Sequence, residues 1–185
     1  MIFAEFQELH TPRLRLRKLT RVDSPAYYAR LGSSQAVTEY MLFDAHTDIS
    51  QSVASIEKAL SRYAAGRCYR WAIALAETDE LIGVIEALRF DEEAASCSFA
   101  YMLGEDFWGR GYATEALDAV FRFLFTVMDI RRVEADHMSP NAASGAVMRK
   151  AGMVCTGTEP GKYEKHGIHY DAVQYAITKE QWLAR

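Results

Sequence analysis

Apolar and polar residues alternate along positions 97–103, and the pattern then changes to a helical period. The alternation predicts a strand whose apolar positions are Cys97, Phe99, Tyr101 and Leu103. From Ala113 to Met128 apolar residues recur at helical spacing, while Glu115 and Arg122 fall on the opposite face. The chain is therefore predicted to contain a strand, a glycine-containing turn and an amphipathic helix in direct succession.

Two further helices are predicted in the first third of the chain. The first begins at Asp23 or Ser24, has Pro25 in its first turn and ends at Gly32. The second covers Asp48–Tyr63, and its apolar face is formed by Ile49, Val53, Ile56 and Leu60.

Short alternating runs predict the remaining strands. In Arg13–Leu19 the leucines should be buried and the arginines should form a solvated face. Other strands are predicted at Tyr69–Ala76, Leu81–Phe90 and Arg132–His137, and as a hairpin around positions 164–167. Arg132–His137 should run parallel to strand 97–103, since the helix between them makes a crossover connection. A last long helix is predicted from a Ser139 cap and Pro140 to Gly152.

Length and composition indicate one globular domain over residues 1–185. Half of the 185 residues are apolar, which suffices for a sizeable core. The net charge of -4 with mixed signs gives no basic surface for nucleic acid, and no apolar run approaches bilayer length. Cys68, Cys97 and Cys155 show neither disulfide nor metal-ligand spacing, so we expect free thiols, no metal and a cytoplasmic location.

The glycine-containing turn is the strongest candidate for a binding site. Gly109 and Gly111 allow a ligand to approach the backbone, and the first amides of the following helix favour a phosphate. A tight strand-to-helix turn that binds no ligand would also use glycine here, for steric reasons alone. Tyr112 and Ala113 occupy the places where a P-loop has lysine and serine or threonine, which excludes that motif.

The segment Trp-Gly-Arg-Gly-Tyr-Ala-Thr-Glu-Ala-Leu, residues 108–117, resembles the acetyl-CoA pyrophosphate loop of the GNAT N-acetyltransferases. Gly111 and Ala113 match the last two places of the superfamily pattern Gln/Arg-x-x-Gly-x-Gly/Ala, and Trp108 replaces its first residue, as is common in the RimJ/RimL branch. The resemblance covers residues 11–182. It implies an α/β (α+β) fold: a mixed, mostly antiparallel sheet of six to seven strands with one splayed parallel pair, flanked by about four helices.

The resemblance also implies where acetyl-CoA binds. The pantetheine arm would pair with free backbone groups of Tyr101, Met102 and Leu103. The pyrophosphate would lie on the loop and helix start formed by Trp108, Gly109, Arg110, Gly111, Tyr112, Ala113 and Thr114. The second family signature, Asn-x-x-Ser, places Asn141 on the pantetheine arm and Ser144 beside the thiol.

Acid–base chemistry has three candidates. Acetylation of an amine requires removal of a proton from an ammonium group, which makes Glu86 the leading general base and His137 a second one. A solvated Glu86 and a structural His137 are the simpler interpretations. Met148 stands where many members of the superfamily have a tyrosine acid, so Ser144 is the nearest residue able to protonate the thiolate. Ser98 stands where relatives of this branch often have glutamate, which leaves the acid–base pair unassigned.

The implied activity is direct acetyl transfer to a primary amine. The acceptor stays open between a protein N-terminus, such as that of a ribosomal protein, an amino acid, a polyamine and a drug. The negative net charge slightly favours a cationic acceptor, and Tyr40, Met41, Leu42 and Phe43 are candidates for selecting it. A non-catalytic acyl-CoA-binding or sensor protein of the same fold is the alternative, and a homodimer is left open. Neither nucleic acid nor a membrane is expected as a partner.

Overall fold

The computed structural model describes residues 1–66 and 68–185, and within them eight strands form one mixed sheet. The strands are β1 Leu9–His10, β2 Leu14–Arg17, β3 Tyr69–Leu75, β4 Leu81–Asp91, β5 Ser96–Leu103, β6 Arg132–Met138, β7 Val154–Lys165 and β8 Ile168–Thr178. Their order is β1-β2-β3-β4-β5-β6-β8-β7, and β5–β6 is the parallel pair. The predicted α/β class is therefore confirmed, with one strand more than the largest expected sheet.

The additional strand is β1 at the edge of the sheet. Leu9 pairs with Leu16 and His10 with Arg15 in antiparallel register. A strand of two residues is too short to show an alternating pattern, which is why the sequence gives no sign of it.

Among the described residues, six α-helices flank the sheet. They are α1 Ser24–Tyr27, α2 Gln35–Thr38, α3 Ile49–Ala64, α4 Tyr112–Thr126, α5 Ala142–Lys150 and α6 Lys179–Leu183. A wider turn at Tyr28–Gly32 continues α1 to the predicted end. The two helices beyond the expected four, α2 and α6, contain four and five residues, too few for a helical period to be visible. Within the described residues no helix has the length and apolarity needed to cross a membrane.

The two faces of the sheet are covered by different helices. On one face α4 contributes Leu117, Val120, Phe121 and Leu124 to the larger core cluster, which also contains Trp71 of β3. On the other face α1 and α3 pack Tyr27 and Ile56 against Val84 and Met102 of the central strands. Helices thus cover both faces of the central strands.

The buried face of α3 differs from the prediction. Ile56 is buried as expected, but Ile49 and Val53 are 41% and 37% exposed, and Ser52 and Ala59 take the inward positions. The hydroxyl of Ser52 lies 2.7 Å from Nδ1 of His46, so a buried polar contact turns this side of the helix inward.

The arginine face of β2 also departs from the expectation of a solvated surface. Arg17 is 8% exposed because its guanidinium donates two hydrogen bonds to Asp23, at 2.9 and 2.8 Å. Asp23 is the residue before α1, as predicted for the cap, but its carboxylate accepts from Arg17 and from the Thr20 amide instead of from α1. The buried ion pair replaces the predicted helix cap.

The parallel strands β5 and β6 separate after a short paired segment. Ser96, Cys97 and Ser98 pair with residues 132–134, whereas the remainder of β6 pairs only with β8 among the described residues. The carbonyl of Ala95 accepts from the Arg131 amide on the β6 side. Since peptide groups alternate along a strand, those of Tyr101 and Leu103 face the same side, into the gap. The predicted splay is confirmed.

Candidate active site

The glycine-containing turn lies directly before α4, as the sequence predicts. Gly109 and Gly111 have φ of 72° and 81°, in the left-handed region, and Gly111 is the N-terminal cap residue of α4. Trp108, Gly109, Arg110 and Gly111 are exposed. The first amides of α4 have no intrahelical acceptor, so this surface presents N–H donors and the positive end of the helix dipole to a ligand.

Arg13 holds this turn against the sheet. Its guanidinium donates to the Arg110 carbonyl at 3.0 Å and to the Glu115 carboxylate at 2.6 Å, and it lies 4.5 Å from the centre of the Tyr112 ring. Thr11 donates to the same carboxylate at 2.6 Å. The sequence analysis places Arg13 on a solvated face, because partners about a hundred positions apart leave no local signal.

The edge of β5 continues from the turn into the gap. The indole Nε1 of Trp108 donates to the Leu103 carbonyl at 2.6 Å and thereby closes the end of the gap. The peptide groups of Tyr101 lie deeper along the same edge. A ligand that follows the backbone from the turn toward β6 therefore passes Trp108 first and Tyr101 next.

A cavity of about 570 Å³ fills the gap between β5 and β6. Several of the predicted site residues line it together: Tyr101, His137, Asn141 and Ser144. Met148 and Ser98, the two departures from the family pattern, line it as well. The glycine-containing turn is outside the described lining of this cavity, at the exposed surface, so the predicted site consists of an enclosed part and a surface part.

Two hydroxyl groups meet inside this cavity. The Oη of Tyr101 lies 3.0 Å from Oγ of Ser144 and donates at 3.3 Å to the Ser144 carbonyl. Burial raises the pKa of Tyr101 to about 12, although the bond with Ser144 acts in the opposite direction. The phenol therefore keeps its proton at neutral pH and is able to donate it.

Asn141 is the N-terminal cap of α5, where the sequence predicts Ser139. Its Oδ1 accepts from the Ser144 amide at 3.2 Å, and the helix begins at Ala142. Asparagine is a preferred N-terminal cap because its side-chain oxygen accepts from the backbone amide three residues further along the chain. The cap therefore lies two residues later than predicted. Asn141 fixes Ser144 through this bond while its side chain still lines the cavity.

His137 is a buried member of the cavity wall. Its Nδ1 lies 2.8 Å from the Met138 carbonyl, and its ring stacks on Tyr175 with 5.7 Å between centres. A Cβ on Gly145 would come within 2.6 Å of Nε2, so α5 approaches the imidazole as closely as a glycine allows. The ring is thus held from three sides.

Glu86 lines a second, smaller cavity of about 250 Å³ on the α3 face of the sheet. Its carboxylate forms an ion pair with Arg62, and Oε2 lies 3.9 Å from Nε of Arg70. The two cavities share the lining residues Met41, Phe43, Ala100 and Tyr101. Glu86 and Ser144 therefore line different cavities, which are adjacent at these four shared residues.

The loop around residues 40–43 forms a wall of both cavities, as its candidate role in selecting the acceptor requires. Lys165, at the tip of the β7–β8 hairpin, donates to the carbonyls of Thr38, Met41 and Phe43 at 2.7, 2.9 and 3.3 Å. The sequence analysis misses Lys165, and likewise Tyr27, His46 and Arg70 of the smaller cavity. Each comes from a segment that carries no recognisable motif.

None of the three cysteine thiols is a candidate for the reacting group. Burial raises the pKa of Cys97 to about 12, which keeps its thiol protonated even though it borders the cavity. Cys68 is buried and Cys155 is exposed. Across residues 1–66 and 68–185 no cluster of three histidine, cysteine, aspartate or glutamate side chains has the arrangement of a metal site.

Comparisons with known proteins agree with this geometry. A family model described as the acetyltransferase (GNAT) domain matches residues 13–154. An uncharacterized N-acetyltransferase of Bacillus licheniformis, p20, is 28% identical over 176 residues, which cover 95% of this chain and 98% of that protein.

Solved structures show the same fold. An acetyltransferase of the GNAT family from Bacillus anthracis superimposes with a TM-score of 0.85 at 22% identity, covering 94% of this chain and 99% of that one. The ribosomal L7/L12 α-N-protein acetyltransferase RimL, solved in complex with coenzyme A, superimposes with a TM-score of 0.81 at 20% identity. The superposition covers 93% of this chain and 98% of RimL.

Proposed function

The chain belongs to the GNAT acetyltransferase family, and on this basis we propose that it transfers the acetyl group of acetyl-CoA to a primary amine by direct attack. The observation that supports the proposal is the gap between β5 and β6, which leads from a helix terminus suited to a phosphate to the paired hydroxyl groups of Tyr101 and Ser144. Family membership makes the protein an acyltransferase and disfavours the alternative of a non-catalytic sensor. We take the whole chain as one catalytic domain, since a single sheet carries every part of the site.

The residues of this chain fit acetyl-CoA as co-substrate, which would supply an activated acetyl thioester. Trp108, Gly109, Arg110 and Gly111, with the amides of Tyr112, Ala113 and Thr114, would bind the pyrophosphate. The open peptide groups of Tyr101 and the Leu103 amide would hold the pantetheine arm, whereas the Leu103 carbonyl accepts from Trp108 and the Met102 carbonyl faces Gly83 of β4. Asn141 and Ser144 would border the thioester. RimL, which shares the fold, was solved with coenzyme A.

The proposed reaction starts when the acceptor ammonium loses a proton to Glu86, or to a water that Glu86 holds. The free amine forms a bond to the acetyl carbon, the carbon–sulfur bond breaks, and the nitrogen releases its second proton to solvent. A backbone amide of β5 stabilises the charge that develops on the carbonyl oxygen. Ser144 then gives a proton to the departing thiolate and is resupplied from Tyr101 or solvent.

His137 is the second candidate for the base. Its Nδ1 faces the Met138 carbonyl and its Nε2 faces Gly145, so it reaches an acceptor only through a water molecule. Glu86 opens onto a cavity large enough for a small acceptor and is the better placed of the two. A route through an acetylated cysteine is disfavoured because Cys97 is a protonated, buried thiol.

Steady-state kinetics with acetyl-CoA and a panel of peptides, amino acids, polyamines and amine drugs tests the proposal. We expect turnover with at least one class, and a fall in kcat of about a hundredfold for both Glu86→Gln and Ser144→Ala. Cys97→Ala should leave kcat within about twofold of wild type. Folded protein that binds acetyl-CoA but acetylates none of these amines would favour the sensor, and a Cys97→Ala variant without activity would favour the covalent route.

A further inference from the structure

The smaller cavity carries a pair of opposite charges that amine acetylation by itself does not require. Arg70 and Glu86 lie side by side in its wall, with Nε and Oε2 3.9 Å apart. The side chain of Arg70 is only 13% exposed, and its Nη2 donates to the Tyr27 hydroxyl at 2.9 Å. The guanidinium is therefore fixed in place and oriented by the protein.

Glu86 is shared between two guanidinium groups. It forms a direct ion pair with Arg62, which is 40% exposed and outside the described lining of the cavity, and it lies 3.9 Å from Arg70. Burial lowers the pKa of His46, which leaves the ring neutral at physiological pH. Glu86 is the only acid among the described residues that line the cavity. Because Glu86 is bonded more closely to Arg62, an occupant with an anionic group would compensate the charge of Arg70.

We propose that the acceptor is a free α-amino acid whose carboxylate binds Arg70 while its ammonium group lies beside Glu86. This proposal rests on the acetyl transfer proposed above and names its substrate class. An α-amino acid carries its two charges on one carbon, which suits a guanidinium and a carboxylate that lie next to each other. The planar guanidinium donates two parallel bonds to a carboxylate, a geometry that the ammonium group of a lysine lacks.

The remaining walls indicate which amino acids fit. Tyr27, Met41, Phe43 and Met102 surround the charged pair with apolar surface. The volume of about 250 Å³ suits a single side chain better than a peptide. We therefore expect apolar acceptors such as phenylalanine, methionine and leucine. The negative net charge of the whole chain favours cations at long range, but the charges within the cavity decide what binds there.

The cavity also directs the amine toward the reacting centre. Ala100 and Tyr101 belong to the walls of both cavities, and Ala100 is paired with Glu86 across β4 and β5. An amino acid held by Arg70 would present its nitrogen to Glu86 and to the opening beside Tyr101. In the transfer the ammonium nitrogen loses one proton to Glu86, gains the acetyl carbon and releases a second proton to solvent as the carbon–sulfur bond breaks, while the carboxylate stays on Arg70 unchanged.

The test compares phenylalanine, methionine and leucine with their carboxamides, which keep the amine and the side chain but lack the anion. For wild type we expect kcat/KM about tenfold or more higher for the acids, as expected for a hydrogen-bonded charge pair. Arg70→Gln should remove this preference, and Arg70→Lys should retain part of it. Arg122→Gln, an exposed arginine on α4, is the matched control and should behave as wild type.

Equilibrium binding of the same ligands to the CoA-saturated protein, followed by calorimetry, gives a readout that needs no turnover. Tighter binding of the acids by wild type, lost in Arg70→Gln, supports the proposal. Equal binding and equal turnover of acids and amides would overturn it while leaving acetyl transfer intact. A protein that binds the acids through Arg70 but acetylates only other amines would also overturn it, and one that acetylates no amine at all would overturn the proposed transfer itself.

Discussion

The phenolic oxygen of Tyr101 lies 3.0 Å from the hydroxyl oxygen of Ser144 inside the gap between β5 and β6. Met148, where many family members have a tyrosine acid, lines the same cavity and has no proton to donate. In the proposed reaction the phenol and the hydroxyl would together supply a proton donor at this place, with the tyrosine contributed by β5 instead of α5.

Tyr101→Phe should lower kcat about tenfold, because it leaves Ser144 without the phenol that resupplies its proton. The dissociation constant of acetyl-CoA should change less than twofold, since the backbone edge of β5 is unaltered. Steady-state kinetics measures kcat, and calorimetry on the same preparations measures the dissociation constant of acetyl-CoA. A kcat equal to that of wild type would show that solvent alone protonates Ser144.

Lys165→Met should raise the acceptor KM several-fold with little change in kcat, because it removes the donor to three carbonyls of the loop around residues 40–43. Leaving those carbonyls without Lys165 should also cost about 1–3 kcal/mol of unfolding free energy. Initial rates at varied acceptor and thermal unfolding check both effects. Lys58→Met, on the exposed face of α3, is the control, and an unchanged KM in Lys165→Met would remove the loop from acceptor binding.

Asp23→Ala should destabilise the fold by about 3 kcal/mol, because it leaves the buried Arg17 guanidinium without its main partner. Chemical denaturation of the variant beside wild type measures the difference. Arg17→Met with Asp23→Ala should recover part of the loss, since both charges are then absent. A double variant no more stable than Asp23→Ala alone would contradict the ion-pair explanation.

Glu115→Gln should lose about 1 kcal/mol of unfolding free energy at pH 7, since Thr11 and Arg13 bind the carboxylate. Burial acts to raise the pKa of Glu115, but the bonds from Thr11 and Arg13 outweigh it and the pKa is lowered. Because the pKa is lower in the folded state, the contribution of the carboxylate to the free energy of unfolding is complete above the unfolded-state pKa of about 4.3. This contribution is lost as the pH falls from there through the folded-state pKa. The difference between variant and wild type should therefore shrink on acidification, and a constant difference from pH 7 to pH 3 would contradict this assignment.

The sequence predicts the strand, turn and helix that carry the site better than it predicts the side-chain contacts within the site. The strand at 97–103, the glycine-containing turn and α4 follow from local periods and from two glycines whose positive φ the structure confirms. The gap between β5 and β6 comes from the family resemblance. By contrast, Arg13, Arg70 and Lys165 find partners in distant segments, and no local pattern encodes such pairings. The buried face of α3, the solvated position of Arg17 and the helix cap by the Asp23 side chain were predicted wrongly for a related reason: buried hydrogen bonds override the local pattern.

Titration of the folded protein with acetyl-CoA by calorimetry, beside the Gly111→Glu variant, tests the central claim most directly. Gly66→Glu is the matched control, because Gly66 has a φ of 79° against 81° for Gly111 and is exposed at the end of α3. Wild type and the control should bind acetyl-CoA with a dissociation constant on the order of micromolar, which corresponds to a binding free energy of about -8 kcal/mol. Gly111→Glu should bind at least about tenfold more weakly. Wild-type protein that does not bind acetyl-CoA, or a Gly111→Glu variant that binds as tightly, would contradict a pyrophosphate site on this turn.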